Sequence, residues 1–396
     1  MKVAFLTLSH NSSMYYGLIQ MFKENGHEVT VFTPTYKGKS NIVTKDGIRI
    51  LNFKSLPMLN IGIIRKGIAN LLFPFLSVYA AKRLLKKESK FDLILSTTPP
   101  IAFYKLVGFL KKKNKKAIFY LILRDIHPEG AKFVGLHKYK LIYNYFRNIE
   151  KKLYELADYI GCMSPGNIRF IEERNPQLKK GKLRMLPNWE NKVEYSEPIL
   201  DIKEKYQLEN KFIVIYGGNM GIPQGLDIVL ELAVSKKHLK DVVFLFVGKG
   251  TERGRLENKV KEMDLENVRF MGFIPREDYD DLLKVSDIGL ISLHKDVPIP
   301  NIPSKTLGYF VNKVPILASI DFVTDYGDYI IEASNSGLWS YATDFEKFSS
   351  NFDILYKDKT LRIKMGESGY QYFLENFTTD KAYNEIMESY YLKNGD

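Results

Sequence analysis

The chain has 396 residues, 45% hydrophobic and 26% charged, with a net charge of +12 at pH 7. Its length exceeds one ordinary hydrophobic core and predicts two domains of a soluble globular enzyme. A single cysteine, Cys162, excludes an intrachain disulfide and fits a reducing, cytosolic compartment.

In chain order, the apolar residues 1–8 end at Ser9-His10-Asn11, too short a run for a signal segment, and predict a first buried strand. Residues 14–25 predict a helix closed by Gly26, and residues 28–32 and 48–53 two more strands. The stretch 56–87 mixes bulky apolar residues such as Leu71, Leu72, Phe73 and Phe75 with Arg65, Lys66, Lys82, Arg83, Lys86 and Lys87. Arg65 and Lys66 interrupt the apolar run and Pro74 breaks it, so no transmembrane span is predicted. Such a mixture suits a helix lying in the headgroup layer of an anionic bilayer. An amphipathic core helix with a solvated basic face is the alternative.

Residues 91–96 predict a short buried strand ending in the loop Thr97-Thr98-Pro99-Pro100. Leu106, Val107, Phe109 and Leu110 lead into Lys111-Lys112-Lys113-Asn114-Lys115-Lys116, and the strand 116–123 empties into Arg124-Asp125-Ile126-His127-Pro128-Glu129. A helix over 139–157, a strand over 159–163 and a turn at Ser164-Pro165-Gly166-Asn167 follow. The polar stretch 190–201 is the expected linker. A second series then predicts strands at 212–216, 242–247, 268–271, 288–292 and 316–319, with helices at 226–233, 276–285 and 304–311 between them. This rhythm predicts an α/β chain of two parallel, doubly wound halves, with a cleft at the carboxyl ends of their strands.

The charge is unevenly divided. Residues 1–190 carry 33 Lys and Arg against 13 Asp and Glu, and the remainder 25 against 33, giving +20 and −8. A positive field of that size attracts nucleic acid, anionic lipid or a phosphorylated substrate. No basic-region, finger or RNA-recognition signature accompanies it, which excludes nucleic acid.

The most informative segment is Gly217-Gly218-Asn219-Met220-Gly221-Ile222-Pro223-Gln224-Gly225, between an apolar strand and an apolar-periodic helix. Glycines let the backbone approach a ligand, and the free N–H groups of a helix start favour an anion. A phosphate site there implies an enzyme using a nucleotide-activated substrate. A tight strand-to-helix corner needing glycine for geometry alone is the other reading.

Together with Phe246-Val247-Gly248-Lys249-Gly250, Val268-Arg269-Phe270-Met271-Gly272-Phe273, Asp287-Ile288-Gly289-Leu290, Pro303-Ser304-Lys305 and Lys313-Val314-Pro315-Ile316, this segment resembles the retaining glycosyltransferases of family 4. Met365-Gly366-Glu367 and Glu375-Asn376-Phe377 resemble that family's ending, and Arg124-Asp125-Ile126-His127-Pro128-Glu129 its bacterial surface-polysaccharide subset. The resemblance implies a glycosyltransferase-B fold of two Rossmann-like domains facing a cleft. Residues 1–190 would form the acceptor- and membrane-facing domain, residues 203–376 the nucleotide-sugar domain, and a final helix over 377–396 would pack back on the first.

The implied activity is transfer of a hexose or amino sugar, with retention, from a UDP-sugar to a polyprenyl-diphosphate-linked acceptor, at the cytoplasmic face of the plasma membrane. Donor contacts are expected from Gly218, Asn219, Gln224, Gly248, Lys249, Phe273, Ser304, Lys305 and Thr306. Asn219 and Gln224 stand where the common family pattern has Arg and Lys. The family's two acidic residues, spaced by seven, fall here on Pro300 and Gly308, so the usual ribose carboxylate is missing. Asp296 and Asp321 flank that region.

Asp125 and His127 are the expected catalytic pair, because they follow a parallel strand at its carboxyl end. Asp125 would orient the acceptor hydroxyl or stabilise positive charge at the anomeric carbon, and His127 would bond the donor. Arg124, His10, Asn11 and Ser12 are expected on the acceptor side, with Arg124 holding a phosphate. A structural turn over 125–128, and a solvated lysine at 305, are the plain alternatives. No metal or other cofactor is expected, since Asp278-Tyr279-Asp280 falls inside a predicted helix and Cys162 inside a predicted strand. Two other classes stay open: a UDP-sugar 2-epimerase, and a non-catalytic partner subunit that kept the fold.

Overall fold

A computed structural model describes residues 1–11, 13–57, 63–86, 90–197, 201–272 and 274–395. The chain divides into two compact units, one of Met1–Asn191 with Thr378–Asp396 and one of Lys192–Phe377. Ser12 and Phe273, both expected site residues, lie outside the described residues, as do residues 58–62 and 87–89 of the basic apolar stretch.

The first unit is a sheet of β1 (Lys2–Leu6), β2 (Glu28–Thr35), β3 (Asn41–Lys45), β4 (Ile48–Lys54), β5 (Leu93–Thr97), β6 (Ile118–Ile122), β7 (Tyr159–Cys162) and β8 (Leu183–Met185). Their spatial order is β3-β4-β2-β1-β5-β6-β7-β8, parallel throughout except at the β3–β4 hairpin. β1, β5 and β6 are near-continuous apolar runs because helices cover both faces of the sheet. α1 (Ser13–Glu24), α2 (Ile63–Leu85), α3 (Tyr104–Lys113), α4 (Lys140–Leu156) and α5 (Pro165–Arg174) connect the strands.

The helical stretch expected around Pro74 is α2, which runs unbroken from Ile63 to Leu85. Proline removes one backbone donor, but Phe73 packs edge-on against Phe53 and Phe103, and that burial holds the helix through the gap. Residues 67–85 are long and apolar enough to cross a membrane by length and composition, with mean hydropathy 1.3, and 39% of that window is buried within the protein. The outward positions are apolar too: Leu71, Phe75 and Tyr79 are more than half exposed.

The second unit orders β9 (Phe212–Gly217), β10 (Val242–Val247), β11 (Val268–Met271), β12 (Ile288–Ser292), β13 (Ile316–Ile320) and β14 (Gly337–Tyr341) as β11-β10-β9-β12-β13-β14, all parallel. Its helices are α6 (Ile202–Lys205), α7 (Asp227–Ser235), α8 (Arg253–Glu262), α9 (Arg276–Lys284), α10 (Lys305–Val311), α11 (Phe345–Lys357) and α12 (Lys359–Asn376). Val214, Tyr216, Phe244 and Phe246 pack with Leu230, Leu256, Phe348 and Phe352 in its core. The last helix, α13 (Thr379–Asn394), belongs to the first unit, where Ala382, Ile386 and Met387 join Leu18 and Phe22 of α1.

Candidate active site

In the second unit, β9 ends in a turn locked to its neighbour. Gly218 takes a φ of +124°, and its N–H donates to Val247 O at 2.9 Å. Gly248 takes +137°, and a Cβ there would stand 2.1 Å from Gly218 O. Only glycine fits either place. Met220 N donates to Lys249 O at 2.7 Å, and a Cβ on Gly250 would strike Met220 O. Arg253 of α8 donates to Gly248 O at 2.9 Å and Met271 O at 3.0 Å, tying the ends of β10 and β11 together.

Lys305 opens α10 beside this turn. Its ammonium lies 3.8 Å over the Tyr216 ring, and its Cε would be 3.6 Å from a Cβ at Gly218. Among the described residues no carboxylate or carbonyl pairs with that ammonium, although the side chain keeps only a narrow exposed edge. Protein crowding on the remaining sides lowers its pKa to about 7. Among the described residues, no acceptor takes the backbone N–H of Asn219 or of Lys305. The Gln224 side-chain oxygen is buried without a hydrogen bond, and the Asn219 and Gln224 amides converge on Gly221. A cation, orphan N–H groups and two amides therefore gather on one glycine turn.

Other expected donor residues differ in what they offer. The Thr306 hydroxyl is engaged, donating to Pro303 O at 2.8 Å and meeting Tyr326 Oη at 2.7 Å. Ser304 and Lys249 are exposed beside the turn. Of the flanking acids, Asp321 is buried at the end of β13, where one oxygen accepts from Val323 N and Thr324 N and the other has no partner. Asp296 is exposed beside His294. Sequence reasoning missed Tyr279 and His294. The Tyr279 hydroxyl would lie 1.8 Å from a Cβ on Gly217, and the His294 backbone presses on Gly225 while its N–H donates to Pro223 O. Only tertiary contact brings them there, so no local pattern announces them.

In the first unit, Thr98 Oγ1 accepts from Arg124 N at 2.9 Å and Asp125 N at 3.3 Å, joining the ends of β5 and β6. The Arg124 guanidinium stacks on Trp189 at 4.6 Å and donates to Leu123 O, Leu186 O and Pro187 O. Its two terminal nitrogens are engaged within the unit, pinning the strand ends, while Nε is buried without a partner; burial lowers its pKa to about 10. Asp125 stays exposed to water while protein mass around it raises its pKa. His127 stands edge-on to Phe146 of α4 at 5.1 Å. Glu129 is buried and accepts from Tyr143 and Lys132, with Arg174 3.9 Å away. Burial raises the Glu129 pKa, but these donors outweigh it and the net shift is downward. His10 and Asn11 line a small pocket with Lys45 and Asp46 of the β3–β4 hairpin, and burial followed by the Lys45 charge lowers the His10 pKa. Among the described residues no three His, Cys, Asp or Glu side chains are grouped to hold a metal ion.

Two family models match the chain: Glycosyltransferase Family 4 over residues 13–189 and Glycosyl transferases group 1 over residues 199–372. With two Rossmann-like units carrying these models, the protein is a glycosyltransferase of the glycosyltransferase-B type. It belongs with the group 1/family 4 glycosyltransferases. The putative colanic acid biosynthesis glycosyl transferase WcaI of Escherichia coli is 30% identical over 144 residues, 33% of this chain and 34% of that protein, so this match spans about a third of either. An uncharacterized glycosyltransferase of Methanocaldococcus jannaschii is 26% identical over 312 residues, 75% of this chain and 74% of the other. Among solved structures, Anabaena HepE in complex with UDP superposes with a TM-score of 0.66 at 15% identity, covering 98% and 99% of the two chains, which shows a shared fold.

Proposed function

We propose that this glycosyltransferase moves a hexose or amino sugar, with retention, from a UDP-sugar to a polyprenyl-diphosphate-linked acceptor in surface-polysaccharide synthesis, without a metal or other cofactor. The observation that carries the reading is the unpaired Lys305 ammonium beside the orphan N–H groups of Asn219 and Lys305. A diphosphate supplies what those groups lack, and the same contacts strengthen as charge grows on the leaving diphosphate. The leaving group then takes the acceptor proton, so no separate strong base is required. Asp125 is assigned to the acceptor hydroxyl and His127 to the donor.

UDP is favoured by the UDP complex of the HepE relative in fold, and the polysaccharide setting by the colanic acid relative. Membrane contact through the first unit rests on its +20 charge and on exposed apolar side chains, Leu141 being 87% exposed. Such a peripheral location would be the cytoplasmic face of the plasma membrane. Neither family model lends support to the epimerase or partner-subunit readings. The test is incubation of labelled UDP-sugars with polyprenyl-diphosphate lipids, with the product anomer read by NMR. Transfer with retention, abolished by Lys305→Met and Asp125→Asn, is the expected result; epimerised sugar without acceptor overturns it.

A further inference from the structure

The donor turn carries a phenol that the diphosphate contacts leave unused. Tyr279 lies on α9, and its hydroxyl reaches Gly217 so closely that a Cβ there would stand 1.8 Å away. The ring is largely enclosed, near Tyr216 and Tyr309. Among the described residues nothing hydrogen-bonds its hydroxyl. That oxygen is not sealed from solvent, so it is open to a ligand's hydroxyl.

α9 and α10 both leave the carboxyl ends of strands and run alongside each other. Leu283 of α9 stands 3.5 Å from where a Cβ on Gly308 of α10 would be, an ordinary contact with room around it. One turn earlier on each helix come Tyr279 and Lys305, so the two flank Gly217 and Gly218 from neighbouring helices. Side chains lean toward the start of a helix. A carboxylate at position 308 would therefore reach the level that the Tyr279 hydroxyl already occupies.

We infer that the Tyr279 hydroxyl binds a ribose hydroxyl of the donor nucleotide, serving where this chain has glycine at 308 and no carboxylate. The inference rests on the nucleoside-diphosphate reading of the same turn. A neutral phenol suits a neutral hydroxyl, while the cation and N–H groups beside it suit the diphosphate. The ribose is attached directly to that diphosphate, within reach of a group abutting Gly217.

Calorimetry on the full chain tests this, with UDP and 2′,3′-dideoxy-UDP as ligands. Tyr279→Phe keeps the ring and removes the hydroxyl; its UDP affinity is expected to fall about 5- to 10-fold. Dideoxy-UDP should bind wild type and variant alike, and the thermal midpoint should not move. Adding Gly308→Glu to Tyr279→Phe should restore UDP affinity. Equal UDP affinity for wild type and Tyr279→Phe overturns the inference, as does an equal loss for dideoxy-UDP. A loss seen only with a UDP-sugar also overturns it, by moving the contact to the transferred sugar. Wild type that binds UDP at no concentration overturns the underlying donor reading instead.

Discussion

On the proposed function, Lys305 ties donor binding to pH. Its free-state pKa is lowered to about 7 by burial, and a bound diphosphate restores the charged form by attraction. Binding therefore takes up a proton above pH 7, where the phosphates are already ionised. UDP affinity should fall as pH rises from 7 toward 9, by up to about tenfold per unit, and Lys305→Met should bind weakly with a flat profile. Titration calorimetry across that window decides it; a flat wild-type profile sinks the role. Asp321 gives a stability counterpart. Burial raises its pKa from 3.8 to about 6, so the folded state holds a proton that the unfolded chain has released. Its contribution thus weakens as pH climbs from about 4 to 6 and levels off above. Asp321→Asn keeps an oxygen for Val323 N and Thr324 N, and should stabilise the protein at pH 7.5 by about 1–2 kcal/mol while leaving pH 4.5 little changed. Urea melts at the two pH values check this.

At the scale of elements, the proposed bilayer contact falls on α2 and its neighbour α3. Lys105 sits 3.5 Å over the Phe75 ring and Arg83 6.0 Å over Tyr79, and Phe75, Val78, Tyr79 and Lys82 line a groove of about 350 Å³. Cations beside exposed rings suit an anionic interface. Wild type should sediment with vesicles rich in anionic lipid and release in part at high salt. Phe75→Ser with Tyr79→Ser should weaken the salt-resistant part, since those rings supply apolar burial; unchanged sedimentation would remove α2 from the contact. What the sequence revealed at this scale follows burial. β9, β10 and β12 are legible because strands covered on both faces read as unbroken apolar runs, and the turns at Gly218 and Gly248 because their positive φ demands glycine. β3 escaped because a mostly exposed edge hairpin has no apolar signal. α12 escaped because its apolar residues do not gather on one face. Tyr279 was visible only as part of an acidic helix, since its approach to Gly217 crosses 62 positions of chain.

For the whole molecule, the chain's path couples its end to its beginning. It leaves the first unit after Asn191 and returns at Thr378. The return is fastened by Thr379, whose N–H donates to Glu190 O at 3.0 Å and whose hydroxyl donates to the Asn191 side chain at 2.9 Å. α13 then buries Ala382, Ile386 and Met387 against α1, sets Tyr383 edge-on to Phe22 and stacked on His27, and sets Glu385 and Glu388 against Arg184. Burying two large aliphatic side chains and part of a tyrosine is worth on the order of 5 kcal/mol, comparable to the stability of a whole domain. The partly exposed Arg184 pairs add little, because solvent screens them. The second unit has its own core and no residue in that helix. A chain ending at Phe377 should therefore lose the melting transition of the first unit, or have it lowered by ten degrees or more on the order expected for such a loss. The transition that UDP shifts should survive, because the donor turn lies wholly within residues 192–377. Differential scanning calorimetry with and without UDP separates the two. A truncated chain with both transitions intact would show α13 to be dispensable, and one with neither would show that the two units fold only together.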